Sequence, residues 1–253
     1  MEIQSLEGRV ASFDKPKISI GSICCDSKPI ELDQDHLLFV YNLSPLNLTL
    51  DGSQTHVPEG SVIKVNPNSG VSLESGKGRL YIIGFHEDET KYLNDLAKNS
   101  FFSGLEGSNR SEWESVRDKP ANFVLSGEKN SEHIINLEDK VLIAPPSSRR
   151  NPSSNVGWHL MYARGSRAAG VASDYISAVR ENEKHHYHQI THEIYVALQG
   201  SIMLDIDGKE YILRHNQAIL TEPGERHSVR SIVEAPYRGI VLNSPSVPGD
   251  RVF

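Results

Sequence analysis

The strongest constraint on the fold of this chain is an internal repeat. Residues 36–73, HLLFVYNLSPLNLTLDGSQTHVPEGSVIKVNPNSGVSL, lie without a gap over residues 192–229, HEIYVALQGSIMLDIDGKEYILRHNQAILTEPGERHSV. At this displacement of 156 positions Val40 meets Val196, Leu50 meets Ile206, Asp51-Gly52 meets Asp207-Gly208 and Pro67 meets Pro223. Two copies of one unit imply a duplicated domain rather than a long array. A chain of 253 residues has ample sequence for the buried core such units need.

Both copies consist of short runs rich in Val, Ile, Leu and Tyr, such as HLLFVYNL, SVIKVN, RLYIIGF, EIYVAL, SIMLDID and QAILTE, separated by Gly, Pro, Asn and Asp. Such runs are strands, and the Asp207-Gly208 step between two of them signals a tight hairpin, so an all-β chain is expected. The exception is DETKYLNDLAKN, 88–99, where Tyr92, Leu93 and Leu96 share one side of a helix. Further strands are expected around 121–125 and 140–144. The PPSSRRNPSS stretch, 145–154, reads as a linker or extended arm. Three segments follow: a first unit over 1–87, a connection with a short helix and an extended arm over 88–155, and a second unit over 156–253.

The formal net charge is −7, with no basic block and no interleaving of basic and aromatic residues, which argues against a nucleic-acid partner. No apolar run reaches the length of a signal peptide or a membrane span, so a cytoplasmic protein with no membrane partner is expected. Cys24 and Cys25 are adjacent and cannot form an ordinary disulfide; nothing demands an oxidising compartment.

The stretch HHYHQITHE, 185–193, holds four of the chain's 11 histidines. His186 and His188 are two apart, so an extended backbone points them to one face. Glu193 follows after four residues, enough for a step that returns a carboxylate to the same interior. His227, after the Pro223-Gly224 turn, supplies a fourth group from a distant strand. Three imidazoles and a carboxylate suit Fe(II), Mn(II), Ni(II), Co(II) or Zn(II) and leave one or two positions of a six-coordinate ion open. Without cysteine ligands a structural zinc site is disfavoured.

The displacement of 156 sets Leu37 opposite Glu193 and Val71 opposite His227. Carried a few residues back, it sets Ile30 opposite His186 and Leu32 opposite His188. The fold therefore does not require the polar set, which moves it from scaffold towards function. His185 and His192 alternate with the ligand candidates and should face away, as surface groups or supporting donors. Tyr195 shares the face of Glu193, as a pocket hydroxyl able to relay a proton or as a core tyrosine. Arg180 is a candidate for holding a substrate carboxylate or phosphate, weighed against a loop-edge surface arginine. Tyr195 and Arg180 are the candidate catalytic residues. His36, His56 and His86 have no His-X-His partner and read as structural or surface residues.

These residues resemble the two motifs of the cupin superfamily. The first, His-X-His, three or four residues, Glu, six residues, Gly, is matched by His186, His188, Glu193 and Gly200. The second, Gly, five residues, Pro-X-Gly, two residues, His, is matched by Gly224 and His227, with Asn216 in place of the first glycine and Glu222 in place of the proline. Asparagine tolerates a left-handed turn better than most residues, so the motif survives. The resemblance implies two cupin-like double-stranded β-helix (jelly-roll) barrels, a bicupin. The first would be degenerate and metal-free, and the second would bind one divalent metal through His186, His188, Glu193 and His227. It further implies an enzyme acting on a small organic substrate; the family contains both oxygenases and isomerases or lyases, and three His and one Glu with open neighbouring positions make non-haem Fe(II) dioxygenase chemistry the expectation, with Mn, Ni, Co or Zn as other metals. A metal-dependent isomerase, epimerase or lyase, or a non-catalytic small-molecule-binding bicupin, are the alternatives. The sequence leaves a homodimer open.

Overall fold

The structure is a computed structural model. It describes residues 4–6, 10–14, 17–25, 28–32, 37–74, 78–85, 123–125, 135–138, 140–144, 156–164, 167–174, 184–189, 191–244 and 251–253. The expected helix at 88–99, the arm at 145–154 and Arg180 lie outside the described residues. The described regular structure is all β, as the strand-length apolar runs require. Among the described residues no helix is long and apolar enough to cross a membrane.

The chain strands are β1 (Gln4–Ser5), β2 (Val10–Asp14), β3 (Lys17–Cys25), β4 (Ile30–Leu32), β5 (Leu37–Asn42), β6 (Leu46–Leu50), β7 (Ser53–Val57), β8 (Val62–Val65), β9 (Val71–Glu74) and β10 (Gly78–Phe85). They continue as β11 (Phe123–Leu125), β12 (Ile135–Leu137), β13 (Val141–Ala144), β14 (Val156–Arg164), β15 (Arg167–Asp174), β16 (Tyr187–His188), β17 (His192–Ile206), β18 (Lys209–Arg214), β19 (Gln217–Thr221), β20 (His227–Ser244) and β21 (Arg251–Val252). Two compact units form, one of Ser5–Glu87 with Glu128–Arg149, the other of Met1–Gln4, Asp88–Gly127 and Arg150–Phe253.

The N-terminal unit has a seven-stranded sheet, β12-β13-β8-β5-β10-β3-β2, and a four-stranded sheet, β4-β9-β6-β7. Period-two alternation sets its core: along β6, Leu46, Leu48 and Leu50 are buried while Asn47 and Thr49 are half-buried on the other face. These leucines join Leu32, Val40, Val57, Ile63, Val71, Leu73 and Ile143 in a wholly aliphatic cluster. The strands expected near 121–125 and 140–144 are present as β11 and β13. The first pairs with β14 in the C-terminal unit, and the second pairs with β8, Val141 opposite Val65 and Ile143 opposite Ile63.

The C-terminal unit has a sheet ordered β1-β19-β17-β20-β15-β14-β11, with β18 paired to β17, and a short β16-β21 ribbon. Its core gathers Tyr195, Ala197, Ile202, Leu204, Ile206, Leu213, Ile219 and Tyr237.

The repeat holds in backbone conformation as well as in sequence. Asp51, Gly52, Gly60 and Asn68 have φ of 49°, 80°, 78° and 57°, and their counterparts Asp207, Gly208, Asn216 and Gly224 have 49°, 76°, 58° and 90°. Hairpin register agrees too: Leu46 pairs with Val57 as Ile202 pairs with Leu213. Leu50 pairs with Val71 as Ile206 pairs with His227. The agreement ends at the histidine pair. In the N-terminal unit Leu32 stands opposite Val71, whereas in the C-terminal unit His186, not His188, stands opposite His227. His186 therefore takes the place of Leu32 and not of Ile30, because the C-terminal copy has two more residues between this strand and the next. His188 lies beyond the shared strand, on the β16-β21 ribbon.

Candidate metal centre

Three elements of the C-terminal unit bring the four ligand candidates together. Glu193 is the second residue of the long strand β17, paired on one side with Thr221 and on the other with Asn243. The Thr221 hydroxyl donates to the Glu193 carbonyl oxygen at 3.1 Å. His227 opens β20, and its backbone exchanges two hydrogen bonds with His186, N–H to O at 2.8 and 3.1 Å. The Pro223-Gly224 turn fixes the remaining segment, since the Gly224 N–H donates to the His188 carbonyl at 2.7 Å. The Asp207-Gly208 hairpin steadies the approach to His227: Arg226 N–H donates to Asp207 Oδ1 at 2.9 Å, and Asp207 N–H to the Arg226 carbonyl at 2.7 Å.

His186, His188, Glu193 and His227 each offer one ligand atom, and these atoms lie within 4.8 Å of one another. Metal–ligand bonds of about 2.1 Å place neighbouring donors about 3 Å apart and opposed donors about 4.2 Å apart. The set therefore fits one ion after side-chain shifts of a few tenths of an ångström. His227 Nε2 and Glu193 Oε2 are 2.8 Å apart, already at the spacing of neighbouring donors, and His188 Nε2 is 3.9 Å from Glu193 Oε1. His186, Glu193 and His227 are buried and His188 half-buried.

Protonation states suit a cation. Burial is the main cause that brings the His186 ring down to about 3, helped by the charges of His227 and Arg251, so its lone pair is available at neutral pH. Burial alone would push the Glu193 carboxyl up. The hydrogen bond and charge of His227, with His188 and the Tyr195 hydroxyl, outweigh it and hold the group at about 2. A carboxylate with no buried positive partner would be costly here. The outer nitrogen of His227 lies 2.9 Å from the Glu225 carbonyl, an orienting contact that turns Nε2 inward.

Tyr195, two residues along β17, is buried and donates its hydroxyl to Glu193 Oε2 at 2.7 Å. It thus touches the ligand set as well as the core. His185 faces away from the set, its Nε2 3.3 Å from Asp205 Oδ2. Asp205 also receives two guanidinium hydrogen bonds from Arg230, at 3.2 and 2.9 Å, and the Gly208 N–H at 2.9 Å. Burial pushes this carboxyl up, but these donors outweigh it and lower it overall. Outside this unit, His56 is exposed, 3.3 Å from Asn47.

Residues 251–253 carry no motif, yet they reach the centre. Strand β21 pairs with β16, and Arg251 Nη2 lies 3.0 Å from His186 Nδ1. The Phe253 ring centroid is 6.1 Å from that of His186.

Comparison with known proteins agrees with this geometry. Residues 176–242 match the model of the cupin domain. Comparison with curated proteins by sequence gives no match. Among solved structures, the chain is similar to an oxalate decarboxylase, with a TM-score of 0.58 and 12% identity over 99% of this chain and 78% of that one. It is similar to the Bacillus subtilis oxalate decarboxylase studied for its Mn(II) centres, with a TM-score of 0.57 and 11% identity over 99% and 78%. It is also similar to the protein Ylba from E. coli, with a TM-score of 0.56 and 8% identity over 96% and 89%. At these identities the likeness establishes the fold. Residues 176–242 form a cupin domain carrying a three-histidine, one-glutamate group that could hold a metal ion, and the chain has the bicupin fold.

Proposed function

We propose that the protein is an enzyme that uses one divalent metal ion, held by His186, His188, Glu193 and His227, to act on a small organic substrate. The observation that carries this reading is the convergence of four ligand atoms within 4.8 Å, three of the four residues being buried. The N-terminal unit makes the point by contrast, since its corresponding interior is aliphatic at Leu32 and Val71. When bound, the ion would supply a Lewis acid with one or two open positions. The chain's residues do the rest. Glu193 and the three imidazoles would fix the ion, and the Tyr195 hydroxyl, its oxygen 2.7 Å from Glu193 Oε2, donates its proton to that carboxylate.

Dioxygenase chemistry with Fe(II) is the first form of this proposal, because a six-coordinate ion held by these four residues would have positions left for substrate and dioxygen. A lyase or isomerase is the second form, favoured by the Tyr195–Glu193 contact, which places a transferable proton beside the ligand set. Similarity of fold to an oxalate decarboxylase with Mn(II) centres supports keeping Mn(II) beside Fe(II) as the metal. We also infer a small-molecule substrate and no nucleic-acid or membrane partner, with a cytoplasmic location, from the acidic charge and the lack of apolar spans.

Metal analysis of untagged protein, followed by anaerobic reconstitution with Fe(II) or Mn(II) and an oxygen-uptake screen over small acids, diketones and sugars, tests the proposal. One metal per chain with substrate-dependent uptake supports the oxygenase form, and turnover without uptake the lyase or isomerase form. His188→Ala should fold and lose the metal; a variant that keeps full stoichiometry would remove the quartet from the reading.

A further inference from the structure

Arg251 brings a fixed positive charge to the edge of the metal centre from outside both ligand stretches. It is exposed, yet its Nη2 lies 3.0 Å from Nδ1 of the buried His186. The β16-β21 ribbon sets this placement, pairing Arg251 with His188 and Val252 with Tyr187. Its backbone is thus paired with one ligand candidate while its guanidinium touches another. An ion bonded at about 2.1 Å to either ring nitrogen of His186 would lie within about 7 Å of Nη2.

Charge makes this position selective. Metal-ligating histidines are neutral, and a ligating glutamate carries one negative charge. A divalent ion on the quartet therefore leaves one positive charge, and the always-ionised Arg251 adds another. The substrate that balances both is a dianion. A guanidinium presents a planar fork of donors that matches a carboxylate through two parallel hydrogen bonds. The exposed Phe253 completes the corner, its ring centroid 5.2 Å from the guanidinium carbon and 6.1 Å from the His186 ring centroid. The cation lies over that ring, which gives the carbon part of a ligand an apolar surface beside the charge.

Resting on the reading of the quartet as a metal centre, we propose that Arg251 is a substrate-binding residue that selects a small dicarboxylate, with one carboxylate on the ion and the other on the Arg251 guanidinium. The span suits an acid of about three or four carbons. Phe253 borders its carbon chain.

Full-length protein loaded with Mn(II) tests this with malonate and its monoamide, malonamate, followed by titration calorimetry. Both can place one carboxylate on the ion, and only malonate has a second for Arg251. Wild type should bind malonate at least about 10-fold tighter than malonamate, the lower end for hydrogen bonds to a charged group. Arg251→Ala should retain one Mn(II) per chain, bind malonamate as wild type does and lose about 10-fold of the preference for malonate. Arg251→Lys should recover part of it, as a point charge without the fork. A preference of the same size in wild type and Arg251→Ala overturns the inference and leaves the metal centre standing. So does equal weakening of both compounds, or loss of Mn(II) from Arg251→Ala, either of which makes Arg251 a support of the centre rather than a contact of substrate. Failure of the loaded wild type to bind malonate overturns it as well. Wild type that takes up no Mn(II) overturns the metal reading and the inference with it.

Discussion

Tyr195 and His186 show how single residues set the properties of the centre. Tyr195 donates to the same Glu193 oxygen that His227 approaches, so its hydroxyl orients the carboxylate rather than merely filling the core. Tyr195→Phe keeps the ring and removes that donor. Metal affinity should fall by about 10-fold, the lower end for loss of a group that orients a ligand, with the fold unchanged by circular dichroism. Unaltered affinity would return Tyr195 to a packing role. His186 gives a pH prediction. Its ring is lowered to about 3, mainly by burial, against 6.5 for an ordinary histidine. Between those values the unfolded chain binds the extra proton, so the contribution of His186 is complete above pH 6.5 and is lost as pH falls towards 3. Urea midpoints of the metal-free protein should drop over this window, and the drop should be smaller in His186→Phe; equal slopes would count against it. The quartet was legible because its residue types and spacing occur within two short stretches. Arg251 was not, because its partner is 65 positions away in sequence and nothing in the residues around it signals a pairing.

Elements repeat more faithfully than side chains do. Four left-handed positions recur in both copies at the same displacement, and one of them is Asn216, where the first copy has Gly60. Asn216 has φ of 58°, and its N–H donates to the Ala197 carbonyl at 2.9 Å, so the turn into β19 depends on a residue that accepts this conformation. Asn216→Ala should cost about 1 kcal/mol, since a Cβ without a local polar group gains nothing in the left-handed region, whereas Asn216→Gly should be near neutral there. Chemical denaturation of the two variants checks the order, and an alanine variant as stable as the glycine one would contradict it. The substitution was readable in sequence as a tolerable departure from the motif. The slip at the histidine strand was not. A gapless alignment over 36–73 and 192–229 carries no information on the residues before it, and strand pairing places His186 opposite His227 where extrapolation pairs His188 with Leu32.

On the scale of the molecule, one duplicated unit has diverged into two interiors. The N-terminal one is aliphatic throughout its cluster, with Leu32 and Val71 in adjoining positions where the other copy has His186 and His227. The C-terminal one buries a carboxylate and imidazoles, whose cost an ion would offset. The duplication was legible in the sequence, whereas the assignment of 128–149 was not. A four-residue run such as VLIA fits either unit, and only its pairing with β8 decides. The difference in interiors makes metal a local stabiliser. An ion at about 100 times its dissociation constant adds about 2.7 kcal/mol to a unit that binds it only when folded. Mn(II) should therefore slow hydrogen exchange by up to about 100-fold in peptides from β17 to β20 that exchange through opening of the C-terminal unit. Peptides from β5 to β9 have no ligand set and should exchange at unchanged rates. Slowing in β5 to β9 of the same size would mean that Mn(II) acts elsewhere than on the quartet. Repeating the measurement with His188→Ala separates the cases, since the C-terminal protection should vanish in that variant while any effect that survives belongs to another site.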